Sequence, residues 1–191
     1  VSGWYFDPAD RRGVAHIRLP RTSTAREVTV VLDIDDAQTV PPSPPYPSPP
    51  ITGELDKSQF IVTASSSHGG NGIRNAFDGT PETIWHTDWG DKSATHPYTV
   101  DIDLGGPWPV HGFTYLPRQE SANGRIAGYE VYAGMDNDAF GEPVAQGVWE
   151  NTKHEQSVQC PARNARYVRL KVLSEGNGKP YASATEVRIR G

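Results

Sequence analysis

Chemistry concentrates in the stretch Asn75-Ala76-Phe77-Asp78-Gly79-Thr80-Pro81-Glu82-Thr83-Ile84-Trp85-His86-Thr87-Asp88-Trp89. Asp-Gly followed by Thr-Pro makes a tight turn, because Gly takes φ > 0 cheaply and Asp hydrogen-bonds the backbone that follows it. Such a turn leaves several carbonyl oxygens pointing inward. With the Asp78 carboxylate and the Thr83 hydroxyl they make a set of hard donors that suits Ca²⁺; the same residues also make a plain Asx turn that holds nothing. Loop carboxylates for acid–base work are Asp88, Asp91, Glu120 and Glu175. Glycoside hydrolysis needs two carboxylates about 5–10 Å apart across a cleft, and no spacing here singles out such a pair. No Gly-x-Ser-x-Gly elbow is present. Cys160 is the single cysteine, which excludes an internal disulfide and a thiolate metal cluster and reads as a small buried hydrophobe.

The elements that must hold these residues are short strands. Runs at 59–64, 98–104, 110–116, 128–133, 156–159, 167–172 and 185–189 are strand-like, with turn residues between them. Val100, Ile102 and Leu104 alternate with Asp101 and Asp103, and Val168, Leu170 and Val172 alternate with Arg169 and Lys171. This pattern, uninterrupted by an amphipathic helix, predicts an all-β antiparallel sandwich or jelly roll, with ligand chemistry on loops at one end.

Residues 41–50 carry Pro41, Pro42, Pro44, Pro45, Pro47, Pro49 and Pro50, and read as an extended spacer. Upstream, Ala15, Ile17 and Leu19 alternate with His16 and Arg18, and Val28, Val30, Leu32 and Ile34 alternate with Thr29, Val31 and Asp33. Two half-buried strands follow from this, too few to bury a core alone. The expected organisation is therefore a β remnant of a preceding domain at 1–40, a Pro-rich linker at 41–57 and a β-sandwich at 58–191. The start at Val1, without an initiator Met, predicts a piece of a longer protein whose export signal lies upstream.

A formal net charge of −5, spread along the 191 residues, gives no basic stripe for nucleic acid. No apolar run approaches the roughly 20 residues that span a bilayer.

The motifs Ala76 to Trp89, then Tyr115-Leu116-Pro117-Arg118-Gln119, Ala165-Arg166-Tyr167-Val168-Arg169-Leu170 and Ala184-Thr185-Glu186-Val187 resemble the family 32 carbohydrate-binding modules. These share the discoidin, or coagulation-factor type C, fold with the N-terminal domain of galactose oxidase. The resemblance implies a structural Ca²⁺ held by backbone oxygens of Asn75, Thr80 and Thr185, by the Asp78 and Glu186 carboxylates, and by the Thr83 carbonyl and hydroxyl. It also implies a galactose-type site of His86, Trp89 and Arg118, with Asn123 as a fourth member. The loop at 66–71 lacks the acidic ligand often found there, so Asn71 or His68 takes that place, and Tyr181 rims the pocket. Each residue type has the chemistry a sugar demands. An indole stacks on the C–H face of the ring, a guanidinium donates two parallel bonds, and an imidazole both donates and accepts. His86 also has a structural alternative, a hydrogen bond to the neighbouring loop; Arg118 has a surface ion pair with Glu120. Trp85 is expected in the core.

The expectation is thus a non-catalytic, secreted carbohydrate-binding module with an upstream catalytic domain and no nucleic-acid or membrane partner. Residues 1–40 look like the C-terminal β-domain of family 31 glycoside hydrolases. Competing classes are a discoidin-like adhesion module for lipid or protein, and a small glycan-active enzyme.

Overall fold

In the computed structural model the chain forms two compact units, Val1–Pro47 and Ser48–Gly191. The structure describes residues 53–191 and three strands upstream of them. Those strands, β1 (Trp4–Asp7), β2 (Arg12–Ile17) and β3 (Val28–Asp33), form an antiparallel sheet in the order β1-β2-β3. The alternating segments supply β2 and β3; the aromatic run of β1 has no alternation and is an addition to the two expected strands. The Pro-rich segment 41–50 lies outside the described residues.

The second unit is built on two long strands. These are β6 (Tyr98–Leu116) and β9 (Gln156–Val172), which pair antiparallel along most of their lengths. The sequence separates 98–104 from 110–116, and 156–159 from 167–172. In the structure each pair of runs is one strand, with register shifts between Asp103 and Trp108 and between Val110 and Gly112. Gly105-Gly106-Pro107-Trp108-Pro109 breaks the alternation, and Gly105 takes φ 78°, so the ladder bends there without ending.

This bend lets β6 serve two neighbours. Its first half pairs with β4 (Ile61–Ala64) and its second half with β11 (Glu186–Arg190). β7 (Gly128–Gly134) continues the sheet beyond β9 and is followed by β8 (Ala145–Val148). A separate two-stranded pair joins β5 (Trp85–His86) to β10 (Ser183–Ala184). The result is the antiparallel β-sandwich expected from the alternation, lacking α-helix among the described residues.

One core takes Val100, Ile102, Leu104, Phe113, Tyr115, Val168, Leu170, Val172, Val187 and Ile189 from these strands, and Trp85 from the motif. The intervening positions face outward and pair across strands, as Asp103 does with Arg166 and Glu130 with Lys171. Tyr115 is fully buried yet satisfied: its hydroxyl donates to the Ser183 carbonyl and accepts the Ile126 N–H, both at 3.0 Å. Burial pushes that hydroxyl far above the usual phenol range. Cys160 is half-buried on β9, and burial raises its thiol as well, a setting for packing and not for nucleophilic chemistry.

The packed unit begins before the expected boundary at Ser58. The Leu55 side chain is buried in the core, its N–H donates to the Ile189 carbonyl at 2.8 Å, and Glu54 bridges to Arg190. Residues 54–57 thus flank β11, and the linker assignment does not extend to them.

Candidate functional site

The motif loop is tied down on both sides by backbone. On one side, the His68 N–H donates to the His86 carbonyl (2.8 Å), the His86 N–H to Asn71 (3.1 Å) and the Asn71 N–H to His68 (2.9 Å). On the other, the Thr87 N–H donates to Ala182 (2.9 Å), while the Thr87 hydroxyl accepts the Ala182 N–H at 3.0 Å. Trp85 anchors the loop from below, wholly buried and donating its indole N–H to the Ser66 carbonyl at 3.0 Å. Residues distant in sequence therefore meet at one end of the sandwich.

His86 lies beneath this surface, fully buried. Its Nδ1 is 2.7 Å from the Thr87 carbonyl, which can only accept, so Nδ1 carries the proton and Nε2 a lone pair. The Asn123 amide nitrogen faces that lone pair at 3.3 Å. Burial holds the imidazole below the usual histidine range; the Thr87 bond works against this, and Arg118 and His68 add to it. A neutral acceptor matches an amide donor, and protonation would set donor against donor. Trp89 meets His86 edge-on at 5.0 Å between ring centroids, and Tyr181 lies tilted at 5.7 Å. The bond to the neighbouring loop weighed for His86 is the one with Asn123, whereas the Thr87 bond stays within its own loop.

Above this layer is a cleft of about 240 Å³ lined by Asn71, Glu82, Trp89, Arg118, Gln119 and Glu120, with Pro81 and Ile84. Trp89 is 45% exposed there. Arg118 follows the end of β6, where the Arg125 guanidinium holds the Arg118 carbonyl with two bonds, at 3.1 and 3.0 Å. Among the described residues the Arg118 guanidinium makes no hydrogen bond or ion pair within 4 Å, so the pair with Glu120 does not form. Gln119 steadies the corner by donating to the carbonyls of Pro117 (2.6 Å) and Lys153 (2.9 Å).

Of the sequence candidates, Asn71, Trp89 and Arg118 line one cleft, while Trp89, Asn123 and Tyr181 each approach His86. His68 stacks against Trp89, its ring centroid 3.4 Å away. Sequence reasoning passed over Glu82, Gln119 and Glu120 as lining residues, although the first two lie within the motifs and Glu120 directly follows one. It also took Glu175 for a loop carboxylate open to chemistry. Glu175 is buried and accepts from the N–H groups of Gly124 (3.2 Å), Asn177 (2.6 Å) and Lys179 (2.9 Å), and from the Asn177 amide (3.2 Å). It thereby joins the loop that carries Asn123 to the loop before β10. Asp88 bonds His68 and the Gly90 N–H, and Asp91 bonds Ser93. Both carboxylates are held below the usual range by these partners.

The expected cation ligands form a second cluster. The Thr83 hydroxyl oxygen lies 2.6 Å from Asp78 Oδ2, 2.9 Å from the Thr80 hydroxyl, 3.3 Å from the Asn75 carbonyl and 3.4 Å from the Thr80 carbonyl. One hydroxyl has one proton to give, and Asp78 takes it. The two carbonyls then face an oxygen with no proton between, a convergence of acceptors that suits a cation. No three His, Cys, Asp or Glu side chains converge among the described residues, so the donors are chiefly carbonyls and hydroxyls. That chemistry fits a hard ion and not a thiophilic one. Glu186, 2% exposed, reaches this loop through the Gly79 N–H at 2.6 Å and pairs with Lys57 at 2.6 Å. Thr185 is buried beside it, its N–H and hydroxyl bonded to the carbonyls of Leu116 (2.9 Å) and Pro117 (3.1 Å).

Fold and site together define a β-sandwich that presents an aromatic and hydrogen-bonding cleft at one end. Residues 61–187 match the F5/8 type C domain, and the chain belongs to that family. Over 118 residues it is 40% identical to a sialidase of Micromonospora viridifaciens, covering 61% of this chain and 18% of the sialidase. The chain spans about a fifth of the length of the curated relatives it matches. Among solved structures it is similar to a family 32 module of Clostridium perfringens in complex with GalNAc-β-1,3-galactose, with TM-score 0.68 and 29% identity over 73% of this chain and 100% of that one. It is also similar to the family 32 module of Clostridium perfringens NanJ in complex with galactose, with TM-score 0.65 and 27% identity over 72% and 98%.

Proposed function

We propose that this chain is a non-catalytic carbohydrate-binding module of a larger secreted glycoside hydrolase, and that it takes one neutral galactose-type residue in the cleft of Trp89 and Arg118. The observation that carries this is a guanidinium without a partner among the described residues, lining the same small cleft as a half-exposed indole. Trp89 supplies an apolar ledge for the C–H face of the ring. Arg118 donates a fork of bonds to adjacent hydroxyls, and Asn71, Glu82 and Glu120 offer acceptors around it. His86 meets the ledge edge-on and is in turn held by Asn123. The sugar complexes of the similar Clostridium perfringens modules support this reading. Glu82 and Glu120 outnumber Arg118 in the cleft, so a sugar carboxylate meets net repulsion.

A structural Ca²⁺ belongs to the same proposal. Carbonyls of Asn75, Thr80, Thr83 and Thr185, the Thr83 hydroxyl and the Asp78 and Glu186 carboxylates hold it. When bound, the ion supplies electrostatic cross-linking between the motif loop and β11, with no role in activating water.

One stacked ring and a few hydrogen bonds give about 4–6 kcal/mol, or dissociation constants from about millimolar to tens of micromolar. On a tether such weak binding still raises the local concentration of substrate. Calorimetric titration with galactose, lactose, glucose and galacturonate tests the reading, alongside release of aryl alcohol from aryl glycosides. Galactosides should bind, galacturonate should bind at least about fivefold more weakly, and no glycoside should be cleaved. Trp89→Ala and Arg118→Ala should each weaken binding by more than about tenfold while melting stays within about 2 °C. Unchanged affinity in both variants sinks the assignment of the cleft.

A further inference from the structure

Trp89 is gripped on one face. The His68 ring stacks on its indole with centroids 3.4 Å apart and planes 21° from parallel. His68 Nδ1 in turn lies 2.9 Å from Asp88 Oδ1, an oxygen that also accepts the Gly90 N–H at 2.8 Å. Both members of this pair are fixed by main chain as well: the Asp88 N–H donates to the Ser66 hydroxyl at 3.0 Å, and the His68 N–H to the His86 carbonyl at 2.8 Å. The edge-on contact with His86 at 5.0 Å closes off another approach. An indole held this way has one broad surface left, and it is Trp89, not His68, that lines the cleft.

We propose that His68 is a positioning residue: with Asp88 it forms a buttress that fixes the Trp89 indole and leaves a single face for the ligand. The inference rests on the sugar-binding reading of the cleft and deepens it. An exposed tryptophan without such support samples several rotamers, and the sugar must then select one of them. Immobilising a rotamer-rich side chain weakens binding severalfold to about tenfold. The buttress meets that cost in the free protein, so the ledge is in place before the ligand arrives. Stacking needs only a flat ring behind the indole, which separates this role from that of a direct sugar ligand.

The test uses the full chain labelled with 5-fluorotryptophan, in which five tryptophans give separate ¹⁹F signals. The Trp89 signal is assigned by its loss in Trp89→Phe. His68→Ala should weaken galactose about five- to tenfold, shift the Trp89 signal by removing the ring stacked on it, and leave melting unchanged. His68→Phe restores the stack and should return affinity to within about twofold. Asp88→Asn, which loosens the imidazole, should fall between. Full affinity in His68→Ala overturns the proposal. So does His68→Phe as weak as His68→Ala, because the imidazole would then be touching sugar itself. If the unaltered protein binds no sugar, the functional reading fails on its own; the Trp89 signal still decides the buttress, which is lost if His68→Ala leaves that signal in place.

Discussion

Replacing Glu175 by Gln tests whether the site depends on a buried anion remote from the cleft. Glu175 is 4% exposed and accepts four N–H bonds, from Gly124, Lys179 and both the backbone and side chain of Asn177. No side-chain nitrogen of Lys, Arg or His lies within 4 Å of its carboxylate among the described residues. Glutamine turns one acceptor oxygen into a donor, so about two bonds are lost and the other two become neutral. With charge-assisted bonds near 1.5–3 kcal/mol and neutral ones near 1, the gross loss is roughly 4–10 kcal/mol. Relief from desolvating the carboxylate offsets part of it, leaving about 2–4 kcal/mol. For a unit of this size that is a fall in Tm of roughly 8–15 °C. Binding should weaken too, because freeing the Gly124 N–H lets Asn123 drift from His86. Calorimetric melting read beside sugar titration should show both effects. A Tm within about 2 °C of the unaltered protein would refute the reasoning.

Two further outcomes are expected. Exhaustive chelation, or Thr83→Val, should lower Tm, and added Ca²⁺ should restore it only in the chelated protein; a melting curve indifferent to both removes the cation from the proposal. Burial depresses the pKa of His86 and of His96, so below about pH 6.5 there is a window in which the unfolded chain takes up protons that the folded one refuses. Stability is therefore complete above about pH 6.5 and falls as pH drops through that window. His96→Gln should flatten part of the fall, and a Tm unchanged between pH 7.5 and 5 contradicts it.

Strands with strict alternation, such as 98–104 and 167–172, were legible because one face is buried and the other is solvated. β5 and β10 have two residues each, too few to show any period. β8 is mostly exposed, so nothing in its sequence distinguishes inside from outside. Joining the two halves of β6 depends on neighbours that bridge Gly105 to Pro109, which local sequence does not carry. Within the site, a shared place for Trp89 and Arg118, with Asn71 or His68 beside them, was implied only by the resemblance to family 32 modules and not by the spacing of these residues. The side of Trp89 on which His68 lies, and the inward turn of Glu175, depend on backbone from elsewhere in the chain. For the same reason Leu55, one apolar residue between Glu54 and Asp56, gave no sign that it belongs to the core.

The close approach of residues 53–55 to β11, with the Gly191 N–H donating to the Gly53 carbonyl at 3.2 Å, makes this unit nearly a ring. Its way in and its way out lie side by side, so it can be spliced into a surface loop of another protein without prising that loop apart. What the architecture requires is that the circuit be closed, and where it is cut matters less. A permuted chain opened at the exposed Gly141 turn and sealed between 191 and 53 should still assemble the cleft.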